Sequence, residues 1–261
     1  MKLFDFRLLL NLVKILFIYK YRRSFFLIIF SIINVLSLII FISLVFSSLF
    51  EEKFFEKLLF IFSAYIPWNF FSNSVIYSSG VITNNSSLIK NIYFSKYYLP
   101  LASCILFLIE FFILLSLYFF LLISLNIKLD INIYHLIFLI SIFFIFTFSV
   151  SLIASVITVF FRDFPSILSS LIQITFFLTP VIYDKSILLI DSLNVEMLNP
   201  LISFVSSFRN LIYLQNNIIE YKLCLIFSLC FFMISTFIFN KLENKFSLYL
   251  WAPQLKLKIF R

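Results

Sequence analysis

The sequence predicts an all-α integral membrane protein with six transmembrane helices, an N-terminal amphipathic interfacial helix, and re-entrant or surface helices between the fifth and sixth spans. Hydrophobic residues make up 63% of the chain. Charged residues make up 12%, about half the share found in an average soluble domain. Apolar runs of about 20 residues, the length that crosses a bilayer, recur along the sequence.

The segment before the first apolar run, "LFDFRLLLNLVKILFIYK", has the pattern of an amphipathic helix. Arg7, Asn11 and Lys14 follow one another at helical spacing, and Leu and Phe fill most of the remaining positions. Such a helix lies in the plane of the membrane surface. We assign residues 1–24 to it, and the pattern fits a simple surface anchor as well as a moving gate.

The transmembrane domain is predicted to cover residues 25–240, followed by a tail at 241–261. The six predicted spans are 25–50, 58–82, 98–125, 133–161, 164–183 and 222–240.

The distribution of basic residues predicts the orientation of the spans. The loops and termini on the side of the N-terminus carry 14 of the 20 Lys and Arg residues and only Asp5, Asp163 and Glu243 as acids. Cytoplasmic loops are enriched in Lys and Arg. Both termini are therefore predicted to lie in the cytoplasm.

The region after the fifth span is predicted to be irregular. Pro180 removes a backbone donor and clashes with the preceding turn, so it should end or kink the fifth helix near its outer end. Asn199 followed by Pro200 is a cap and first-turn signal for a new helix. Because that helix is short for a span and carries Arg209, we predict a re-entrant or surface helix.

Two features inside the predicted spans are unexpected in hydrocarbon. The second span contains "IPWNFFSNSV" at 66–75, whose polar face indicates either close helix packing or a wet pathway. Glu110 is the one acid deep in a span. A charge there is costly and needs a partner or water, so Glu110 is either a hydrogen-bonded structural acid or a transport residue.

Several classes of function have no sequence support. Gly80 is the sole glycine, so the chain holds neither a P-loop nor a dinucleotide fingerprint. The three cysteines and His135 lack the spacing of a metal site. No soluble basic domain that would bind nucleic acid is visible, and the net charge of +8 fits topology and anionic lipid. We expect no directly bound metal or cofactor.

Four stretches, in order, resemble the permease subunit of type 2 ABC polysaccharide exporters, the class that moves O-antigen, capsule and teichoic acid chains. The resemblance runs nearly end to end. The stretches are "YRRSFFLIIFSIINVLSLIIFISLVFSSLF", "PWNFFSNSVIYSSGVITNNSSLIKNIYFSKYYLPLAS", "FFRDFPSILSSLIQITFFLTPVIY" and "LNPLISFVSSFRNLIYL".

The resemblance implies a homodimer of half-transporters with two separate ATPase subunits, which bind ATP and Mg²⁺. The loop after the second span would be the coupling helix, residues 1–24 the gate helix, and certain aromatic residues the wall of the substrate path. The residues implied for coupling are Leu88, Ile89, Lys90, Phe94 and Lys96, and those for the path are Trp68, Phe70, Phe71 and Tyr77.

The resemblance therefore implies a transport subunit, and no enzyme, in the bacterial cytoplasmic membrane. The subunit would export a lipid-linked polysaccharide and contact the membrane, a second copy of itself and the ATPase. Two alternatives remain open: a type 2 exporter of a lipid or small drug, and an integral membrane glycosyltransferase.

Overall fold

The computed structural model describes residues 6–21, 26–91, 94–127, 131–184, 197, 199–213, 221–246 and 249. Within these ranges the regular structure is helical. The α-helices are α1 (Phe6–Tyr21), α2 (Phe26–Leu49), α3 (Phe54–Asn84), α4 (Ser86–Asn91), α5 (Tyr98–Ser124), α6 (Ile133–Phe160), α7 (Phe164–Leu178), α8 (Pro200–Ile212) and α9 (Tyr221–Leu242). Most of the predicted tail 241–261 and the segment 185–196 lie outside the described residues.

Four helices in the described part of the chain are long and apolar enough to cross a membrane: α2, α5, α6 and α9. The other two predicted spans correspond to α3 and α7. The 31 residues of α3 are long enough, but its Asn, Ser and Pro residues lower its hydropathy, and α7 is apolar but has only 15 residues. The all-helical class is confirmed, and the count of six spans stays a prediction.

The ends of α7 and α8 follow the local sequence signals. Leu178 is the last residue of α7, two positions before Pro180, so the predicted break is confirmed and the helix is shorter than the expected 164–183. The Asn199 side chain accepts a hydrogen bond from the Leu201 N–H at 3.2 Å, and Pro200 occupies the first helical position. The predicted cap is confirmed.

The central helix of the bundle is α3, which packs against α2, α5, α6, α7 and α8. Most of its residues are buried, and it continues through Pro67 as one helix. Its last turn leads into α4, and its first turns lie near the end of α8. We call these two ends of the bundle the α4 end and the α8 end.

Helix α8 is inserted into the bundle. Its Phe204 ring lies 5.0 Å from the Phe143 ring and 4.9 Å from the Phe146 ring of α6, and Phe208 also contacts Phe143. Both α8 rings are fully buried. This burial favours the re-entrant form of the prediction over a helix on the surface.

Candidate functional site

A cleft of about 950 Å³ opens at the α4 end of the bundle. Helix α1, the second half of α3, the start of α4 and the junction between α6 and α7 form its walls. Its lining is rich in hydroxyl, amide and aromatic groups, among them Tyr19, Tyr77, Thr83, Asn84, Asn85 and Arg162. The cleft is suited to a polar ligand with some apolar surface.

Helical spacing brings part of this lining to one face of α3. Tyr77, Gly80 and Asn84 are three or four residues apart and all line the cleft. The Thr83 hydroxyl donates a hydrogen bond to the Gly80 carbonyl at 2.9 Å, so this hydroxyl already has a partner within the helix. Arg162 follows α6, is exposed, and takes no part in the ion pairs formed among the described residues. Its guanidinium is thus available to an anion in the cleft.

The loop implied for coupling begins with a short helix, α4, which adjoins the cleft through Ser86 and Ser87. Leu88, Ile89 and Phe94 are half-buried. Ile89 and Phe94 pack against the hydrophobic core. Residues 92–93 and the Lys90 side chain lie outside the described part of the structure.

Lys96 connects this region to the end of α9. Its backbone N–H donates to Glu243 Oε1 at 2.9 Å, and its Nζ donates to the Glu243 carbonyl oxygen at 2.9 Å. The Ser95 hydroxyl donates to the same carboxylate at 3.2 Å. A displacement of the segment after α4 would therefore move α9 as well.

Helix α1 has the amphipathic character that the sequence predicts. Leu9, Leu12 and Leu16 are buried, whereas the polar positions Arg7, Asn11 and Lys14 are exposed. The helix packs on α5 and contributes Tyr19 to the cleft. It therefore lies at the mouth of the cleft.

Glu110 of α5 holds the C-terminal turn of α1. Lys20 Nζ and the Tyr21 hydroxyl both donate to Glu110 Oε1. The Lys20 ammonium also lies 3.9 Å from the centre of the Phe107 ring. Burial lowers the pKa of Lys20, and the Glu110 carboxylate acts in the opposite direction. We call this group of Lys20, Tyr21 and Glu110 the clasp.

Comparison with curated proteins gives relatives along most of the chain, although no family model matches it. A Klebsiella pneumoniae protein named O-antigen export system permease protein RfbA is 26% identical over 87% of this chain and 89% of its own length. A second protein of that name from Klebsiella pneumoniae is 27% identical over 72% of this chain and 73% of its own length. One from Myxococcus xanthus is 28% identical over 59% of this chain and 60% of its own length.

The chain is a relative of the O-antigen export permeases. The resemblance that the four sequence stretches indicate is thereby confirmed.

In this relative of the export permeases, the four aromatic residues implied for a path occupy different environments. Trp68 packs against Phe176 at 5.4 Å, and Trp68, Phe70 and Phe71 are all buried within the single chain. Tyr77 is half-buried and lines the cleft. Among the four, Tyr77 is the residue placed to meet a ligand in the cleft.

In the "IPWNFFSNSV" stretch, Asn69, Ser72 and Asn73 form hydrogen bonds within the protein, whereas the buried Ser74 hydroxyl has no hydrogen-bond partner among the described residues. Asn73 Nδ2 donates to Asn69 Oδ1 at 3.0 Å, and the Ser72 hydroxyl donates to the Asn69 carbonyl at 3.2 Å. Further along α3, Ser78 shares a buried hydrogen bond with Ser103 of α5. The first two contacts lie within α3 and the third joins α3 to α5, while Gly80 and Thr83 further along α3 line the cleft, so both readings of this face stay open.

Sequence reasoning missed two parts of the site, the cleft residue Arg162 and the partners of Glu110. A signal existed for the second, because an acid in a span needs a partner and the preceding helix carries several cations. The choice of Lys20 among them depends on how α1 docks. That docking is a tertiary property.

Replacing Gly80 by alanine is expected to be tolerated and to raise the unfolding temperature slightly. Alanine gains up to about 1 kcal/mol over glycine in a helix interior. The new Cβ would lie 3.1 Å from Asn84 Nδ2, the end of an exposed side chain that is free to shift. Thermal unfolding of the purified protein in detergent measures the change. A marked drop would show that Asn84 is held rigidly.

Proposed function

We propose that this chain is the transmembrane subunit of an ATP-driven ABC transporter that exports a lipid-linked polysaccharide of the O-antigen, capsule or teichoic acid type. The observation that carries the proposal is its similarity, over up to 87% of its length, to proteins named O-antigen export permeases. The polar cleft at the α4 end supports it, because a glycan head group needs such a surface. The chain would act in the bacterial cytoplasmic membrane.

In this proposal α2, α3, α5, α6, α7 and α9 cross the membrane, and both termini lie in the cytoplasm. The α4 end faces the cytoplasm because Lys and Arg are concentrated there. The 15 residues of α7 span about 22 Å, and the inserted helix α8 fills the outer part of the bundle beside it. Helix α1 lies on the cytoplasmic surface of the membrane.

Two copies of the chain form the transporter, and two separate ATPase subunits bind beneath them. ATP and Mg²⁺ are held by the ATPases, since this chain has no P-loop, and the chain performs no covalent chemistry. Helix α4 binds in a groove of the ATPase subunit. In α4 and the segment that follows it, Leu88, Ile89 and Phe94 serve as apolar anchors, and Lys90 and Lys96 as polar contacts.

The cleft receives the polar head of the substrate. Arg162 contacts the phosphate that joins the glycan to its lipid, and Tyr19 and Tyr77 offer ring faces to the first sugars. ATP binding closes the ATPases and moves α4. Because α4 forms part of the cleft wall and Lys96 is tied to Glu243, this movement reshapes the cleft and reaches α9.

Co-purification from native membranes in mild detergent tests the assembly. We expect an ABC ATPase in equal amount, and cells that lack this chain should retain glycan polymer in the cytoplasm. Absence of an ATPase would overturn the proposal. If cells lacking the chain display normal surface glycan but no longer export a lipid or drug, the chain belongs to another type of exporter. Glycosyl transfer by the chain alone would make it an enzyme.

Replacing Arg162 by glutamine is expected to lower export about tenfold, since a charge-assisted hydrogen bond contributes about 1.5 kcal/mol. Arg162→Lys should retain part of the activity. Lys245→Gln is the matched control, because Lys245 is an exposed cation at the same end that does not line the cleft. Pulse labelling of surface glycan measures the rate. Equal rates for Arg162→Gln and Lys245→Gln would remove Arg162 from the site.

A further inference from the structure

A second cavity, of about 270 Å³, lies at the α8 end of the bundle, at the opposite end of α3 from the cleft. Four aromatic side chains form part of its wall: Phe50 after α2, Phe60 of α3, Tyr183 after α7 and Tyr213 after α8. Pockets for drug-sized ligands begin at about 300 Å³. This cavity therefore suits a smaller molecule with an apolar face.

The polar part of the lining consists of three carboxylates, one ammonium group and two tyrosine hydroxyls. Glu52, Glu56 and Asp184 supply the carboxylates, and Lys57 supplies the ammonium. Ionised carboxylates only accept hydrogen bonds. A ligand that contacts these carboxylates must therefore offer hydrogen-bond donors.

Ion pairs and cation–aromatic contacts hold this lining in place. The buried Lys57 Nζ lies 3.1 Å from Glu52 Oε2 and 5.0 Å from the centres of both the Phe50 and Phe60 rings. The Arg209 guanidinium lies 3.8 Å from the Phe60 ring on the inner side and donates to the Tyr183 carbonyl at 3.3 Å. The cavity is preformed.

A pyranose ring has the properties that this lining requires. Its axial C–H groups form a weakly apolar face that packs on an aromatic ring, and its hydroxyls donate hydrogen bonds to carboxylates. Phe50 is half exposed, so part of its surface is open to such a ring. A sugar that carries its own carboxylate would face three carboxylates against the single Lys57 cation, which already pairs with Glu52, so the excess of negative charge disfavours it.

We propose that this cavity is a sugar-binding subsite that accepts a neutral or amino sugar and disfavours a uronic acid. Its biological role rests on the proposed function. In that role the subsite contacts the glycan as the glycan leaves the transporter on the outer side of the membrane. The contact is weak, because a single sugar unit offers few atoms. Weak contact lets a long chain pass.

Saturation-transfer NMR on the full-length chain in lipid nanodiscs tests the subsite directly. The probes are methyl glucoside, glucosamine and glucuronate, the last two also as methyl glycosides. They share the glucose ring, in which glucosamine carries an ammonium group at C2 and glucuronate a carboxylate at C6. We expect saturation transfer to methyl glucoside and glucosamine and much less to glucuronate. Equal transfer to all three, or preference for glucuronate, would overturn the charge selectivity.

Variants separate this cavity from other surfaces that contact sugars. Phe50→Ala should weaken binding of methyl glucoside about fivefold, the usual effect of losing one aromatic contact. The double variant Glu56→Gln with Asp184→Asn should reduce the discrimination against glucuronate. Phe55→Ala and Glu51→Gln are matched controls, since both residues are exposed neighbours that do not line the cavity.

The outcomes distinguish this proposal from the proposed function. If Phe50→Ala and Phe55→Ala bind methyl glucoside equally well, and both unfold at the wild-type temperature, the subsite is disproved. If Phe50→Ala alone weakens binding while cells lacking the chain export glycan normally, the subsite stands and the export role falls.

Discussion

Replacing Glu110 by glutamine is expected to release α1 from the bundle. The substitution keeps the shape of the side chain but removes the negative charge that faces Lys20 and Tyr21. Removing one partner of a buried ion pair costs about 3–5 kcal/mol. We expect about 3 kcal/mol, since the Lys20 side chain is 22% exposed and a glutamine oxygen still accepts a hydrogen bond.

Thiol accessibility measures this release. A cysteine in place of Leu16, which is only 2% exposed on the inner face of α1, would be introduced into a chain whose three native cysteines are replaced. A cost of about 3 kcal/mol corresponds to about a hundredfold faster labelling by a maleimide. Glu56→Gln is the matched control, because its ion pair with Lys53 is exposed and contributes little.

A double-mutant cycle tests whether the charge pair itself is responsible. Lys20→Met should also speed labelling, and adding it to Glu110→Gln should make labelling no faster than in Glu110→Gln alone, because the unpaired cation is then gone. Labelling of Glu110→Gln at the wild-type rate would show that the three buried leucines hold α1 without the clasp.

Replacing Arg209 by methionine is expected to lower the unfolding temperature by about 10 °C. Arg209 Nη2 donates to the carbonyls of Pro180 at 2.7 Å and Val181 at 2.8 Å, and Nη1 donates to that of Tyr183 at 3.3 Å. Methionine fills part of the volume but leaves these carbonyls without their donor. Each hydrogen bond from a charged donor contributes about 1.5–3 kcal/mol, and together we expect about 4 kcal/mol.

Thermal unfolding in detergent, followed by circular dichroism, measures the global effect of Arg209→Met. Limited proteolysis of residues 179–184 measures the local one, since these carbonyls should then open to water. Lys241→Met is the matched control: Lys241 is an exposed cation 5.9 Å from the Phe237 ring, and its loss should change little. Equal unfolding temperatures for the two variants would contradict the role given to Arg209.

The sequence was sufficient for features that depend on neighbouring residues. An apolar run forms a helix in a membrane because it must satisfy its own backbone hydrogen bonds, so the helices could be found along the chain. The break before Pro180 and the start at Asn199 and Pro200 were equally local. The amphipathic face of α1 followed from helical periodicity alone.

The sequence was not sufficient for contacts between distant segments. Lys20 and Glu110 are 90 positions apart, and Ser95 and Glu243 are 148 apart. The hydrophobic pattern does not predict which residues of two distant helices pair, because any of several cations could reach one acid. The aromatic residues show the same limit: Phe70 and Tyr77 lie seven positions apart in α3, yet Phe70 is buried in the core and Tyr77 lines the cleft.

By itself, then, the sequence determined that this protein is a set of apolar helices with a basic side, an amphipathic first helix and a broken region near Pro180. The tertiary structure decided which groups face one another: the clasp at Glu110, the support of the broken segment by Arg209, and the two cavities at opposite ends of α3. The physical reason is range. Transfer free energy sums over adjacent residues, whereas a site forms only where helix packing brings distant residues together.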